Sequence, residues 1–383
     1  MRIVVDRNIP FAVKAFAPFG EVAALATAEI TRAAVRGADA LILRSETRIT
    51  RALVDGSPIR FIGSASIGTD QVDLDELDKR GIAFVNAPGC NADSVKEYVA
   101  AALLHAASAT GVALRGRTLG IVGVGHIGRK VAAMAAAGLG MSVLLNDPPR
   151  ARAEGPAGFV PLDDALDADV VTLHVPLTRS GPDATYHLFD AGRIARMKKG
   201  SLLLNAARGA VVDSKALLRA LTAGPLGAAL LDVWEGEPDI DLGLLARVLV
   251  GTAHVAGYSM EGKANAVRQV REAFCRHFGL SAPWDPAAEL PPPPVREIAV
   301  GPEPLPAEEI LRRAVAAVYD IRLDDELLRR GAALPAAERP DYFLGLRAGY
   351  RVRREFSNVT VRLPRVHAAV AAPFAALGFN VAP

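Results

Sequence analysis

The chain has few cysteines and almost no net charge. Its 383 residues include only Cys90 and Cys275, which cannot build a disulfide framework and do not stand in a metal-ligand spacing. We therefore predict no metal site. Lys and Arg number 44 against 42 Asp and Glu, which gives a formal net charge of +2. A nucleic-acid-binding protein usually has a basic excess, so we expect no nucleic-acid partner.

Long hydrophobic runs are also missing from the sequence. The two longest segments without a charged residue, 98–114 and 131–146, are shorter than the roughly 20 residues that cross a bilayer. Asp6 and Arg7 stand where a signal peptide would need its apolar stretch. We expect a soluble, cytoplasmic protein without a membrane partner.

The apolar residues that are present predict alternating strands and helices. They make up 51% of the chain, whose length suggests two or three domains. Short apolar runs followed by Gly, Asp, Asn or Pro predict strands covered on both faces, as in parallel sheets. Sequential strand–helix units of this kind predict doubly wound α/β domains. The predicted strands are 2–5, 40–43, 60–62, 83–85, 119–122, 143–146, 170–174, 202–205, 228–232 and 248–251.

Two long helices and a C-terminal module complete the predicted organisation. The helices are 91–110 and 261–278, and we expect the second to cross back onto the first segment of the chain. Pro291–Pro294 form an extended connector, after which the composition changes. The predicted elements beyond it are strands 297–300 and 358–363 and helices 307–319, 342–354 and 366–377.

A glycine-rich turn follows one of the predicted strands. Residues 123–128 read Gly-Val-Gly-His-Ile-Gly and open a helix, the pattern of a dinucleotide-binding turn. Asp147 ends the next strand, where a carboxylate accepts hydrogen bonds from ribose hydroxyls and repels a 2′-phosphate. We therefore predict NAD as the cofactor, although Arg150 and Arg152 could weaken the discrimination against NADP. An ordinary Gly-rich turn and a turn-forming Asp before Pro148 are the alternatives.

Three later strand ends each carry one ionisable residue, namely Arg208, Glu237 and His254. The carboxyl ends of parallel strands are where open α/β sheets bind ligands. Oxidation of a 2-hydroxy acid needs a cation for the carboxylate and a general base for the hydroxyl proton. It also benefits from a carboxylate that orients the base and favours its protonated form. Arg, His and Glu suit these roles, while a surface Arg, a structural His and a solvated Glu are the alternatives.

These segments resemble the D-isomer-specific 2-hydroxyacid dehydrogenases over about residues 1–280. The resemblance implies that Arg208, Glu237 and His254 are catalytic and that His254 exchanges the proton. It is carried by GVGHIG at 123–128, NAARGAVVD at 205–213, LDVWEGEP at 231–238 and HVAGYSMEGK at 254–263.

The resemblance also implies the domain organisation. In this family the dinucleotide domain is inserted into the substrate domain, which gives 1–94 and 257–285 for substrate binding and 95–256 for the NAD-binding Rossmann domain. Residues 286–383 resemble the C-terminal dimerisation domain of one branch of the family. We therefore predict an α/β fold class with two doubly wound, Rossmann-like domains and a small C-terminal α+β dimerisation domain. The predicted assembly is a homodimer.

Members of that branch act on a phosphorylated 2-hydroxy acid, and nearly the whole of this chain resembles them. The resemblance implies that Ser45, Ser66 and Tyr258 contact the substrate, with Ser66 in place of a common Thr. Arg44 adjoins Ser45 and is our candidate cation for the phosphate, with a surface Arg as the alternative. The predicted cofactor-binding residues are Gly123, Gly125, His126, Ile127, Gly128, Asp147, Val175, Ala206, Ala207, Arg208, Asp232 and Gly257.

Two other functions are possible for such a chain. A related dehydrogenase, such as one acting on 3-phosphoglycerate, would not need the C-terminal module. An NAD-sensing binding protein on the same scaffold would not need the ionisable residues at 208, 237 and 254. We also hypothesise that an arginine of the run at 347, 351, 353 and 354 reaches the cleft of a partner subunit.

Overall fold

The computed structural model describes residues 1–383 and divides them into two compact units. The first unit comprises Met1–Asn91 and Tyr258–Pro292, and the second comprises Ala92–Gly257 and Pro293–Pro383. The division into three domains stays a prediction, because compactness alone groups the C-terminal residues with the second unit. None of the helices combines the length and the apolar content that crossing a membrane requires.

Fourteen strands form three sheets, and every strand pair is parallel. The strands are β1 (Arg2–Asp6), β2 (Glu21–Leu25), β3 (Ala40–Leu43), β4 (Phe61–Ser64), β5 (Ala83–Val85), β6 (Thr118–Val122), β7 (Ser142–Asn146), β8 (Val170–Leu173), β9 (Leu202–Asn205), β10 (Ala228–Leu231), β11 (Val250–Gly251), β12 (Glu297–Ala299), β13 (Thr360–Arg362) and β14 (Asn380–Ala382).

Sixteen α-helices connect and cover these strands. They are α1 (Ala12–Phe16), α2 (Arg32–Val35), α3 (Arg51–Val54), α4 (Leu74–Lys79), α5 (Ala92–Thr110), α6 (His126–Leu139), α7 (Pro148–Glu154), α8 (Leu162–Leu166), α9 (Ala191–Arg196), α10 (Ser214–Ala223), α11 (Leu242–Leu245), α12 (Met260–Phe278), α13 (Ala307–Val318), α14 (Ile321–Gly331), α15 (Arg339–Ala348) and α16 (Ala371–Leu377).

The first unit is a five-stranded sheet in the order β2-β1-β3-β4-β5. Helix α12 returns to this unit, as the sequence predicts, and packs on β4. The Phe274 ring lies 5.5 Å from the Phe61 ring, and a Cβ added at Gly63 would lie 2.2 Å from Val270 Cγ1. Because later strand residues meet earlier helix residues, α12 runs opposite to β4. The first turn of α12 therefore lies beyond the carboxyl end of that strand.

The second unit contains a six-stranded sheet in the order β11-β10-β9-β8-β6-β7. Fully buried aliphatic side chains from β6, β9 and β10, including Leu119, Ile121, Leu204 and Leu230, join the core beneath α5 and α6. The strands are covered on both faces, which explains their continuous apolar sequences. The carboxyl ends of β6, β8, β9 and β10 therefore lie along one edge of this sheet.

The C-terminal residues add the small sheet β12-β13-β14 to the second unit, with α13 packed on α5 and α16 on α6. The predicted α/β fold class, with two Rossmann-type sheets and a small C-terminal sheet, is confirmed. The predicted helix 342–354 is wrong at its end, because α15 stops at Ala348. Beyond it, Arg353, Arg354 and Glu355 are buried in a non-helical segment that contacts the second unit's core.

Candidate active site

The glycine-rich turn connects β6 to α6, and its backbone is accessible from outside the protein at one of its three glycines. A Cβ at Gly123, whose φ is 90°, would lie 2.7 Å from the His174 carbonyl carbon, and one at Gly128 would lie 2.1 Å from Gly123 O. These two glycines are needed for packing within the protein. A Cβ at Gly125 would meet nothing within 4 Å. The turn thus has a free face where a pyrophosphate can approach the N-terminus of α6.

Asp147 follows β7 and is held directly against this turn. Its Oδ2 accepts a hydrogen bond from Val124 N at 2.8 Å, and its Oδ1 caps α7 by accepting from Arg150 N at 3.1 Å. Arg150 is itself paired with Glu154, at 2.5 Å between Nη2 and Oε2, and Arg152 is paired with Asp183. Both arginines are therefore engaged by carboxylates. The open turn and the adjacent acid fit NAD.

We expect replacement of Asp147 to change which cofactor is preferred. In Asp147→Asn, the amide oxygen can still accept one of the two backbone hydrogen bonds, but the charge that attracts ribose hydroxyls and repels a 2′-phosphate is lost. The ratio of kcat/KM for NAD over NADP should fall about tenfold or more, the scale of a hydrogen bond to a charged group. Steady-state assays with both cofactors measure it. Asp163→Asn, an exposed ion-paired acid of the same unit, is the control. Equal losses of kcat/KM with NAD and with NADP would instead show that Asp147 acts only as the N-cap of α7.

The structure brings His254 and Glu237 into direct contact. His254 Nδ1 lies 2.5 Å from Glu237 Oε1, and Trp234 N donates to Glu237 Oε2 at 3.1 Å. Burial acts to raise the pKa of Glu237, but the charge and hydrogen bond of His254, the Trp234 N–H and the Arg347 guanidinium outweigh it and lower that pKa. Glu237 is therefore ionised at neutral pH. It accepts the Nδ1–H of His254 and leaves Nε2 for another partner. Nothing in the sequence indicates this contribution of Arg347 to the pKa of Glu237.

The loop that carries His254 has a left-handed backbone and a buried acid beneath it. His254 has a φ of 56°, and its N–H donates to Asp232 O at 2.7 Å. The Asp232 carboxylate accepts from Thr252 Oγ1 at 2.6 Å, Val255 N at 2.7 Å and Ala256 N at 2.9 Å. Burial raises the pKa of Asp232, against the His254 charge and these three bonds. Asp232 therefore fixes the His254 loop, in addition to its predicted contact with NAD.

The same loop is anchored to helix α5 and to the C-terminal residues. Arg353, whose side chain is 2% exposed, donates to Ala256 O at 3.1 Å and to Ser94 O at 2.7 Å. Ser94 Oγ also donates to Ala256 O, and Tyr98 OH lies 2.9 Å from Thr252 Oγ1. The sequence did not indicate these anchors. The hypothesis from the sequence is that one arginine of the run at 347, 351, 353 and 354 reaches a partner's cleft. That hypothesis is wrong for Arg353, because its guanidinium is buried within its own chain.

Arg208 lies at the end of β9, next to the Glu237 segment. A Cβ at Gly209 would lie 2.0 Å from the Trp234 carbonyl carbon, so the two segments touch through their backbones. Asn205 shapes the turn, since its side chain accepts from Ala207 N at 3.0 Å and donates to Arg208 O at 2.9 Å. Arg208, Glu237 and His254 thus belong to neighbouring segments of one sheet edge in one unit.

The other predicted cofactor contacts lie on the same unit. Gly125 and His126 are exposed at the start of α6, Ile127 is half-buried, and Val175 lies two residues beyond the carboxyl end of β8. Ala206 and Ala207 follow β9, and Gly257 is the last residue of its segment of this unit. No group of three His, Cys, Asp or Glu side chains is placed so that it could hold a metal ion.

The predicted substrate contacts lie on the first unit, at the carboxyl edge of its sheet. Arg44 follows β3 and its Nε donates to Asp6 Oδ2 at 3.3 Å. Ser45 is exposed in the following turn, and Ser66 Oγ lies 2.7 Å from Ser64 Oγ, just past β4. Tyr258 immediately precedes the N-cap of α12. All of the predicted site residues are thus at strand ends or at a helix start, and their roles stay predictions.

Comparison with known proteins identifies the family. The model for the D-isomer specific 2-hydroxyacid dehydrogenase NAD binding domain matches residues 92–256, and a domain of unknown function (DUF3410) matches residues 290–378. Among solved structures, a Thermus thermophilus protein has a TM-score of 0.63 and 32% identity, covering 74% of this chain and 99% of that one. A D-lactate dehydrogenase from Aquifex aeolicus, complexed with NAD and lactic acid, has a TM-score of 0.61 and 25% identity, covering 73% and 96%.

The chain belongs to the D-isomer-specific 2-hydroxyacid dehydrogenase family and is an NAD-dependent dehydrogenase. Within this family it is similar to proteins named erythronate-4-phosphate dehydrogenase. The protein of Cronobacter sakazakii is 46% identical over 382 residues, covering 99% of this chain and 98% of the relative. That of Salinibacter ruber is 48% identical over 368 residues, covering 94% of each.

Proposed function

We propose that this dehydrogenase oxidises the C2 hydroxyl of 4-phospho-D-erythronate to (R)-3-hydroxy-2-oxo-4-phosphooxybutanoate, a step toward pyridoxal 5′-phosphate. The observation that carries the substrate assignment is the similarity to erythronate-4-phosphate dehydrogenases over 94–99% of the chain. That similarity includes the C-terminal residues, whereas the Aquifex aeolicus D-lactate dehydrogenase covers 73% of this chain. The match of the C-terminal residues to these relatives supports the proposed substrate.

His254 is the general base of the proposed reaction. Its Nε2 takes the proton of the C2 hydroxyl, while Glu237 at 2.5 Å accepts the Nδ1–H and stabilises the imidazolium that forms. Arg208 binds the carboxylate through its planar guanidinium and orients C2. When bound, NAD supplies the acceptor for the C2 hydride, and the 2-oxo group forms as the C–H and O–H bonds break. Its contacts are the predicted set from Gly123 to Gly257, with Asp147 at the ribose.

A homodimer in the cytoplasm is part of the proposal. Several large apolar side chains of the C-terminal residues are exposed, including Leu323 at 48%, Val352 at 45% and Val366 at 62%. A subunit interface formed by the C-terminal residues would bury these side chains. A reducing compartment suits a chain whose Cys90 and Cys275 form no disulfide.

A substrate panel tests the assignment. We expect NADH formation with 4-phospho-D-erythronate to exceed that with D-lactate at least a hundredfold in kcat/KM, because D-lactate lacks the phosphate and its charge-assisted contacts. It should exceed that with 3-phosphoglycerate about tenfold or more, because the carbon chain is one unit shorter and displaces the phosphate from its partners. Absorbance at the NADH band is the measurement. A preference for 3-phosphoglycerate would show that it is the substrate in place of 4-phospho-D-erythronate. NAD binding without turnover of any of these acids would indicate an NAD-sensing binding protein.

A further inference from the structure

The carboxyl edge of the first unit's sheet brings two cations together. Strands β1, β3 and β4 are neighbours, so Arg44 after β3 and Ser66 after β4 lie along this edge. Helix α12 runs opposite to β4, which carries its first turn beyond the same edge. Lys263 is in that turn, four residues after the N-cap Ser259. The strand order and the packing of α12 thus place Arg44, Ser66 and Lys263 at the same edge of the first unit's sheet.

Arg44 is held in a fixed position by three acceptors. Its Nε donates to Asp6 Oδ2 at 3.3 Å, its Nη1 to Glu46 Oε1 at 3.4 Å and its Nη2 to Thr27 Oγ1 at 3.3 Å. Asp6 is completely buried, and the Arg44 side chain is 20% exposed. A guanidinium fixed by a buried carboxylate and two further acceptors is preorganised for a ligand and loses little entropy when it binds one.

Lys263 has no carboxylate partner anywhere in the described chain. Its Nζ lies 4.8 Å above the centre of the Tyr258 ring, a contact that holds the ammonium without neutralising it. Burial, and then the positive charge of Arg44, lower the pKa of Lys263, and no acid acts in the other direction. The two cations therefore lie near enough to repel each other. A bound dianion would remove this repulsion and satisfy the ammonium.

We propose that Lys263 and Arg44 together hold the phosphate of the substrate and that Lys263 selects a phosphorylated 2-hydroxy acid over its unphosphorylated counterpart. The identity of the acid rests on the proposed function, whereas the ligand chemistry, a dianionic phosphate, rests on the two cations. The charge of a lysine suits this role because an ammonium binds phosphate as a point charge. Lys263 is thus a specificity-determining residue that the sequence motif alone did not reveal.

The first experiment compares three variants on two substrates. Lys263→Met removes the charge and keeps the length, Lys263→Arg keeps the charge, and Lys79→Met removes an exposed lysine of α4 in the same unit. The measured quantity is the ratio of kcat/KM for 4-phospho-D-erythronate over D-erythronate. We expect this ratio to fall about tenfold to a hundredfold in Lys263→Met, the range for a charge-assisted hydrogen bond. It should fall less than threefold in Lys263→Arg and not at all in Lys79→Met.

The second experiment measures the site without turnover. Inorganic phosphate is titrated calorimetrically into the full-length wild type and the three variants. We expect saturable binding to the wild type, Lys79→Met and Lys263→Arg, and at least tenfold weaker binding to Lys263→Met. Equal phosphate affinity in wild type and Lys263→Met, or no saturable binding to the wild type, would overturn the proposal. A wild type that binds phosphate through Lys263 but does not oxidise 4-phospho-D-erythronate would refute the proposed function and leave this site standing.

Discussion

Replacement of His254 by Asn should reduce kcat about 10²- to 10⁴-fold, the contribution of a positioned general base. Asn is the substitution of choice because it tolerates the left-handed backbone at this position, where φ is 56°. Its amide can still donate to Glu237, and the backbone bond from residue 254 to Asp232 O is retained. The loop therefore keeps its shape, and the loss reports the missing base. Steady-state kinetics and NAD titration measure the two effects separately.

The chain provides a matched control in a second His–Glu pair. His187 Nε2 lies 2.6 Å from Glu235 Oε1, in the same unit, and His187 also has a positive φ of 48°. His187→Asn thus repeats the change in chemistry and backbone at a residue without a predicted catalytic role, although its pair with Glu235 is made through Nε2 and not Nδ1. We expect kcat to fall less than fivefold there. Similar losses in both variants, or a parallel loss of NAD affinity in His254→Asn, would show that His254 is structural.

The elements that the sequence predicted well are the ones whose own residues determine them. Strands such as 40–43, 83–85 and 202–205 are continuous apolar runs between turn residues, and their bounds agree with the structure. Strand β2 was missed because EVAAL is Ala-rich and half-exposed at the edge of its sheet. Helix α14 was missed because IRLDDELLRRG is largely charged. Neither segment shows the apolar run on which the prediction depended.

The end of α15 shows why tertiary contacts limit such predictions. The segment 349–354 is rich in arginine, which favours a helix by propensity alone. In the structure Arg351 pairs with Asp324, and Arg353 is buried against Ala256 and Ser94. These partners are distant in sequence, and a continued helix would point the arginines elsewhere. Long-range hydrogen bonds to buried carbonyls therefore override local propensity here.

The residue types of the candidate site were predictable from the sequence. The contacts that hold those residues in position were not. Strand-end positions placed Arg208, Glu237 and His254 on one edge, because parallel strands share their carboxyl ends. The 2.5 Å contact between His254 and Glu237 required the loop geometry that Asp232 and Arg353 impose. Those supporting contacts join residues twenty or more positions apart, and no spacing rule in the sequence connects them.

Replacement of Arg208 by Lys should reduce kcat/KM for the 2-hydroxy acid about 10²-fold or more. A planar guanidinium binds a carboxylate through two parallel hydrogen bonds, and an ammonium can replace the charge but not the fork. Loss of one partner of such a pair typically costs about 2–5 kcal/mol, and each 1.36 kcal/mol is a factor of ten. The turn itself should persist, because Asn205 bonds to backbone atoms of Ala207 and Arg208. Kinetics with saturating NAD measure the loss.

Arg193→Lys provides the comparison for a structural arginine. Arg193 Nη1 donates to Leu188 O at 2.8 Å, and Arg208 Nη1 makes the same kind of bond to Ala207 O at 2.8 Å. If backbone bonding were the whole function of Arg208, the two variants should lose similar, small amounts of activity. We expect instead a loss confined to Arg208→Lys, with unfolding temperatures equal in both. Because a substrate carboxylate is the one ligand that needs the fork, the lost kcat/KM should diminish for 2-hydroxy compounds whose carboxylate is replaced by a neutral amide. If Arg208→Lys lost as much kcat/KM with the amide as with the acid, Arg208 would not act by binding the substrate carboxylate.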